Sequence, residues 1–314
     1  MKLRLILTSD QIERFIAERA KVANISSKSF LVTVLGDVMS MHGDWVWLGS
    51  LIEALEGLGY SERLVRTSVF RLVQDDWLTT KKVGRRSYYS LTDNAKRHNQ
   101  KAARRIYAKG FPNWDGRWLL VVPAFVNEPQ LSQFRRQLEW LGFSVLSGGV
   151  YAHPSFDQQS LEETVNELNL TDSVVIFSSK TLDSASATVL KKLVHEQWNI
   201  QQLEQQYQDF LTQYQPMLAQ LNGKEPLVLS IKQCFLLRTL VVHEYRRILL
   251  KDHELPEDML PASWAGYEVH DLVGQLYARL AKPSLSYICT QLHNSDGLLP
   301  IEDADFWRRF NHES

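Results

Sequence analysis

Between positions 61 and 74 lie Ser61, Arg63, Arg66, Thr67, Phe70, Arg71 and Gln74. An α-helix turning about 100° per residue collects the last six of them on one half of its circumference. Arginine can donate two hydrogen bonds to a guanine edge, glutamine can bond adenine in the same way, and threonine or phenylalanine can pack on a thymine methyl. Just downstream, Lys81, Lys82, Arg85 and Arg86 place four cations around a Gly84 turn. Such a projection can reach backbone phosphates or the minor groove. Taken singly, each arginine is ordinary solvated surface. Three on one helix face, followed at once by a basic hairpin, imply contact with duplex DNA.

The surrounding sequence supplies the elements that must position these groups. Leu48, Leu51, Ile52, Leu55 and Leu58 have helical spacing, and Gly57 and Gly59 suit its C-terminal cap. Tyr60-Ser61 is a tight turn. Ser61 can cap the next helix and Glu62 favours its positive end; that helix runs to about Asp75. Its inner half, Leu64, Val65, Val69, Leu72 and Val73, is expected to bury against Leu51 and Leu55. Two β-prone runs, Trp77–Val83 and Ser87–Leu91, flank the Gly84-Arg85-Arg86 turn as a hairpin, with one of Tyr88 and Tyr89 packed inward and the other outward. Upstream, helices are expected over Asp10–Val22 and Ser29–Met41, with a short strand at Trp45-Val46-Trp47. A further helix starts at Thr92 or Asp93 and reaches about Ala108. These elements read as a winged helix-turn-helix occupying residues 1–110. Charge agrees: from Ser61 to Lys109 there are 13 Lys or Arg against 4 Asp or Glu, a net of +9 in a chain whose total is -1.

A linker is expected at Phe111-Pro112-Asn113. Residues 111–182 then alternate strand (Arg117–Val122), helix (Pro129–Leu141), strand (Phe143–Leu146), strand (Val150–His153), helix (Ser160–Leu168) and strand (Ser173–Ser178). That βαββαβ order is that of a ferredoxin-like domain. Residues 183–314 read as helical: a long Gln-rich helix over Leu190–Leu221, one over Leu229–Leu250 after Pro226, and one over Tyr267–Leu280. The fold class is thus multidomain α+β. A chain of 314 residues exceeds one ordinary core. Two distant cysteines, Cys234 and Cys289, no apolar run near 20 residues and no signal-peptide pattern point to a reduced, cytoplasmic protein without a membrane anchor. His243-Glu244-Tyr245-Arg246-Arg247 begins like a zinc-protease helix, but Arg247 stands where the second histidine ligand belongs. No Gly-rich phosphate loop or nucleophile elbow is present, so neither a metal nor a cofactor is expected, nor enzymatic activity.

The run WLGSLIEALEGLGYSERLVRTSVFRLVQDDWL with VGRRSYYSLTD, then NWDGRWLLVV and HEYRRILLKDHELPEDMLPASWAGY, resembles the PaaX-type repressors of phenylacetate degradation in the same order along the chain. The resemblance implies a repressor with a DNA-reading winged helix, acting as a homodimer on operator DNA and released by an aryl-coenzyme A effector, phenylacetyl-CoA. Arg246, Arg247 and Lys251, in the run that holds His243 and Tyr245, could then meet coenzyme A phosphates, or equally form salt bridges to Asp252, Glu254 or Glu257. Trp264 could stack on an aryl or adenine ring, or anchor its own loop. The central region also resembles CRISPR-adaptation endonucleases, which carry an Asp just after the first strand. Here that place reads Val121-Val122-Pro123-Ala124. A pairing module is the expected role, with a metal-dependent nuclease as the competing one. A winged helix used for protein contacts is a third reading, and it needs fewer outward arginines.

Overall fold

The computed structural model describes residues 9–22, 25–108, 110, 114–154, 158–223, 228–253 and 255–311. The expected linker Phe111-Pro112-Asn113, Pro226 and Glu254 lie outside the described residues. The fold is mixed helix and sheet and divides into two compact units. One comprises Met1–Lys109, Phe210–Arg246 and Val269–Ser314; the other comprises Gly110–Asp209 and Arg247–Glu268.

In the first unit, the N-terminal stretch runs α1 (Ser9–Val22), α2 (Ser27–Asp37), β1 (Val46–Trp47), α3 (Leu48–Leu55), α4 (Glu62–Gln74), β2 (Leu78–Val83), β3 (Arg86–Leu91) and α5 (Asp93–Ile106). Each of α2, α4 and α5 begins where a hydroxyl can satisfy an orphan backbone donor. Ser26, Ser61 and Thr92 accept from the N–H three residues on, at 3.1, 3.3 and 3.2 Å. The three strands form one antiparallel sheet in the order β1-β3-β2, with Val46 opposite Tyr89 and Thr80 opposite the same Tyr89. Two expected helices are shorter than their hydrophobic spacing suggests. The one read over Ser29–Met41 stops at Asp37, followed by a 3-10 turn at Met39–Met41. The one read over Leu48–Leu58 tightens to a 3-10 turn at Glu56–Leu58 and ends on Gly59 at φ +78°. Both tightened turns keep an apolar side chain buried, Met39 in one and Leu58 in the other, which is why periodicity alone does not reveal them.

In the second unit, β4 (Trp118–Pro123), α6 (Glu128–Trp140), β5 (Ser144–Ser147), β6 (Val150–His153), α7 (Gln158–Glu167) and β7 (Val174–Ser179) follow in the expected order. The sheet order is β5-β6-β4-β7 with every neighbour antiparallel. Leu119 and Val121 of β4, Phe134 and Leu138 of α6, Tyr151 of β6 and Leu161 of α7 share its core. β7 is an edge strand whose Val175, Ile176 and Phe177 are exposed.

Downstream come α8 (Ser184–Gln197), α9 (Ile200–Leu221), α10 (Ile231–Leu249), α11 (Ala265–Gln291) and a 3-10 segment at Ala304–Asn311. The single helix expected over Leu190–Leu221 is broken at Trp198-Asn199. Trp198 is buried against His253 and Trp118, with ring centroids 4.8 and 6.0 Å away, and Asn199 takes a left-handed φ of +46° to let the chain turn. The last helix extends beyond the expected Leu280, through Pro283 to Gln291, because Ser284, Leu285, Tyr287 and Ile288 remain buried there.

A buried ionic cluster ties the first unit together. The Asp37 carboxylate, 1% exposed, accepts from Arg238 at 3.0 Å and from Arg309 at 2.9 Å. Arg309 also donates to the Tyr277 hydroxyl at 2.8 Å and to the Asp37 carbonyl at 2.9 Å, and its guanidinium lies 4.1 Å from the Tyr107 ring centre. The Tyr107 hydroxyl donates to Asp37 as well. Burial pushes the Tyr107 and Tyr277 hydroxyls above their ordinary titration range, so both stay protonated. Removing one partner of such a pair leaves uncompensated charge in a low dielectric. Asp37→Ala is therefore expected to cost about 3–5 kcal/mol of unfolding free energy. Lys28→Ala, which breaks the exposed pair between Lys28 and Asp75, should cost less than about 1 kcal/mol. Urea denaturation midpoints of the two variants check this ordering.

Candidate nucleic-acid interface

Helix α4 is set in rotation by what it buries. Val65, Ser68, Val69 and Leu72 face inward, and α4 packs on α2 and α3, where Leu51 and Leu55 are buried. Ser68 Oγ and Ser27 Oγ of α2 share a buried hydrogen bond at 2.6 Å, and Asp75 at the C-terminal end pairs with Lys28. Leu64 departs from the expected inner set: it is 42% exposed, and Val73 is only half-buried. Both stand about a quarter-turn from the buried stripe. Ser68, one turn on from Leu64, lines that edge of the stripe instead, a polar residue made tolerable there by its partner on α2.

The opposite face carries the residues singled out above. Arg63, Arg66, Thr67, Phe70, Arg71 and Gln74 are all exposed, Phe70 at 61%. Ser61 is exposed and its side chain serves as the cap. Arg66 pairs with Glu62 at 2.7 Å along the helix. Thr67 donates its hydroxyl to the Arg63 carbonyl at 2.8 Å. Among the described residues, Arg63 and Arg71 have no carboxylate partner.

The hairpin follows at once. Val83 pairs with Arg86, so Gly84-Arg85 is a two-residue loop; φ is positive at Gly84 (+59°) and not at Arg85, as in a type II′ turn. Lys82, Arg85 and Arg86 are exposed and Lys81 half-buried, and none of the four has a carboxylate partner among the described residues. Tyr88 is buried and Tyr89 half-buried. Sequence reading missed the floor beneath this hairpin. Lys81 Nζ lies 4.4 Å from the Trp45 ring centre, and the Arg86 guanidinium lies 4.5 Å from that of Trp47. The only available signal was two tryptophans flanking Val46 ahead of a basic run.

The residues considered for an effector are not gathered in one place within either unit. His243 is fully buried, its Nδ1 2.8 Å from Thr33 Oγ1 and its ring on Phe30. Tyr245 is buried with its hydroxyl 3.0 Å from His270 Nδ1. Arg246 donates to Thr33 Oγ1 at 3.4 Å, and burial lowers its pKa. Arg247 and Lys251 are exposed. Trp264 is buried edge-on against Tyr207, 5.5 Å between centroids, over Gly266, where a Cβ would strike the indole. That is the packing of a loop anchor. Among the described residues no group of three or more His, Cys, Asp or Glu could hold a metal ion, and no helix is long and apolar enough to cross a membrane.

Comparison with known proteins places this geometry in context. Residues 26–95 match the PaaX-like protein family, residues 112–190 the PaaX protein central Cas2-like domain, and residues 198–290 the PaaX-like protein C-terminal domain. The chain is 33% identical over 300 residues to the transcriptional repressor PaaX of Escherichia coli K12, covering 96% of this chain and 95% of that one. Among solved structures, an uncharacterized protein from Mycobacterium tuberculosis aligns over 85% of this chain and 97% of its own, at 18% identity and a TM-score of 0.45.

The exposed face depends on α4 starting at Glu62, which makes the cap a direct test of the local structure. Ser61→Ala should lower stability by about 1 kcal/mol and Ser61→Gly by only a few tenths, read as shifts in the urea midpoint.

Proposed function

The chain belongs to the PaaX family of transcriptional repressors, and we propose that it represses a phenylacetate-degradation operon by gripping operator DNA with α4 and the β2–β3 hairpin. One observation carries the reading: the outward face of α4 and the adjacent hairpin present exposed Arg63, Arg71, Lys82, Arg85 and Arg86 with no carboxylate to neutralise them among the described residues. On this reading residues 1–110 are a winged helix-turn-helix. α4 enters the major groove, where Arg63, Arg66, Thr67, Phe70, Arg71 and Gln74 face base edges, and Lys81, Lys82, Arg85 and Arg86 follow the phosphates. Ser61 holds the start of α4.

Residues 111–182 act as a ferredoxin-like pairing module of a cytoplasmic homodimer. The exposed apolar residues on edge strand β7 support that role. Residues 183–314 form the helical part in which an aryl-CoA effector such as phenylacetyl-CoA acts, with exposed Arg247 and Lys251 as its phosphate-facing cations. Release follows from the effector binding a DNA-incompetent conformer more tightly than the DNA-bound one. A metal-dependent nuclease is not favoured: β4 ends at Pro123 and runs into Ala124-Phe125 without a carboxylate, and the Escherichia coli relative is described as a repressor.

Arg63→Ala and Arg71→Ala should each weaken binding to the DNA upstream of the regulated genes by about 1–3 kcal/mol, if they read bases. Wild-type affinity for both variants in gel-shift titrations would remove α4 from base reading. Arg85→Ala should weaken all sequences similarly and lower the slope of log K against log salt by about one. Phenylacetyl-CoA should raise the melting temperature of the free protein and dissociate it from DNA; the absence of both effects would rule it out as the effector.

A further inference from the structure

We propose that Trp45, Trp47 and Gly49 form a shelf that positions Lys81 and Arg86 for phosphate contact; this rests on the DNA reading above. Val46 pairs with Tyr89 and Trp47 with Tyr88, so β1 continues the sheet that carries the hairpin. Val46 is buried while Trp45 and Trp47 on either side of it remain half-exposed. Lys81 and Arg86 lie 4.4 and 4.5 Å from the two ring centres, well inside cation–π range. Neither cation has a carboxylate partner among the described residues.

Lysine and arginine have the most rotamer freedom to lose on being ordered. A cation already resting on an indole face loses less of it when a phosphate arrives. For Arg86 the gain is also directional. A guanidinium held over the ring has fewer orientations to lose, and its planar fork of N–H donors can take two phosphate oxygens at once.

Gly49 supplies an independent sign that the ring's place is built. It sits in the first turn of α3, where glycine is a poor helix former. A Cβ at that position would lie 2.4 Å from the Cη2 and Cζ2 atoms of Trp47. The helix start therefore gives up propensity so that the indole can lie under Arg86. Gly49 acts on the cation only through Trp47, and Trp47 only through Arg86; Trp45, Trp47 and Gly49 are positioning residues with respect to DNA, and Lys81 and Arg86 make the contact.

The test is a double-mutant cycle on the full chain with a mixed-sequence DNA duplex at fixed salt. Trp47→Leu should raise Kd about two- to fivefold, the scale of an exposed cation–π contact. Gly49→Ala should reproduce that loss, and Trp47→Phe should stay within about twofold of wild type because a ring face remains. The double variant Trp47→Leu with Arg86→Ala should bind no more weakly than Arg86→Ala alone. Additive losses, or Trp47→Leu binding like wild type, would overturn the shelf while leaving the DNA reading intact. A wild-type protein that binds no duplex would overturn both. Melting temperatures control for folding. Should Trp47→Leu unfold, the Trp45→Leu and Lys81→Ala pair provides the second cycle, with the same non-additivity expected and additivity again overturning the proposal.

Discussion

One carboxylate, Asp37, closes the first unit around itself. It stands at the last residue of α2, and its partners come from α10, from Tyr107 just after α5 and from the C-terminal 3-10 segment. Two guanidiniums against one carboxylate leave positive charge in excess, which the rings of Tyr107, Tyr277 and Phe306 face at 4.1 to 5.5 Å. Burying these charges is unfavourable unless every partner is in place. The cluster therefore fixes where α2 ends. Since α2 holds α4 through Ser27 and Ser68, it also fixes the platform on which the outward face of α4 stands.

The outward face has a simple origin. Val65, Val69 and Leu72 must leave water, and the three sit on one side of a single helix. Satisfying them turns Arg63, Thr67 and Gln74 the other way. The same economy shapes the hairpin. A two-residue turn at Gly84-Arg85 brings Lys82, Arg85 and Arg86 to its tip, while Tyr88 and Leu91 tie its base to the helices. Fold stability and the proposed DNA contact thus draw on opposite sides of the same elements. On the proposed reading, substitutions on the two sides separate into those that unfold the protein and those that only weaken binding.

Much of this was legible in the sequence, and the remainder was hidden for identifiable reasons. Helical periodicity located α4 and its outer face, and turn residues located the hairpin and the alternating strands and helices from β4 to β7. Periodicity could not show that Ser68 rather than Leu64 lines one edge of the buried stripe, because Ser27 lies 41 positions away. It likewise ran straight through Trp198-Asn199, where burial of a tryptophan rather than a loss of apolar spacing ends the helix. Asp37 carried no signal at all. Its partners stand 201 and 272 residues away, and nothing local marks an aspartate that will be buried. The indoles beneath Lys81 and Arg86 were hidden in the same way, since they pack across strands rather than along one. Of the candidate effector residues, His243 and Tyr245 turn out to be held inside the fold, where a histidine and a tyrosine with good partners are most at home.

The central claim is that the outer face of α4 and the tip of the β2–β3 hairpin are the surface that meets DNA. Amide hydrogen exchange of the full chain, with and without a duplex from upstream of its own gene, tests it most directly. The account predicts slowed exchange concentrated in residues 61–74 and 81–86. Slowed exchange elsewhere, with those two segments unchanged in the complex, would contradict it.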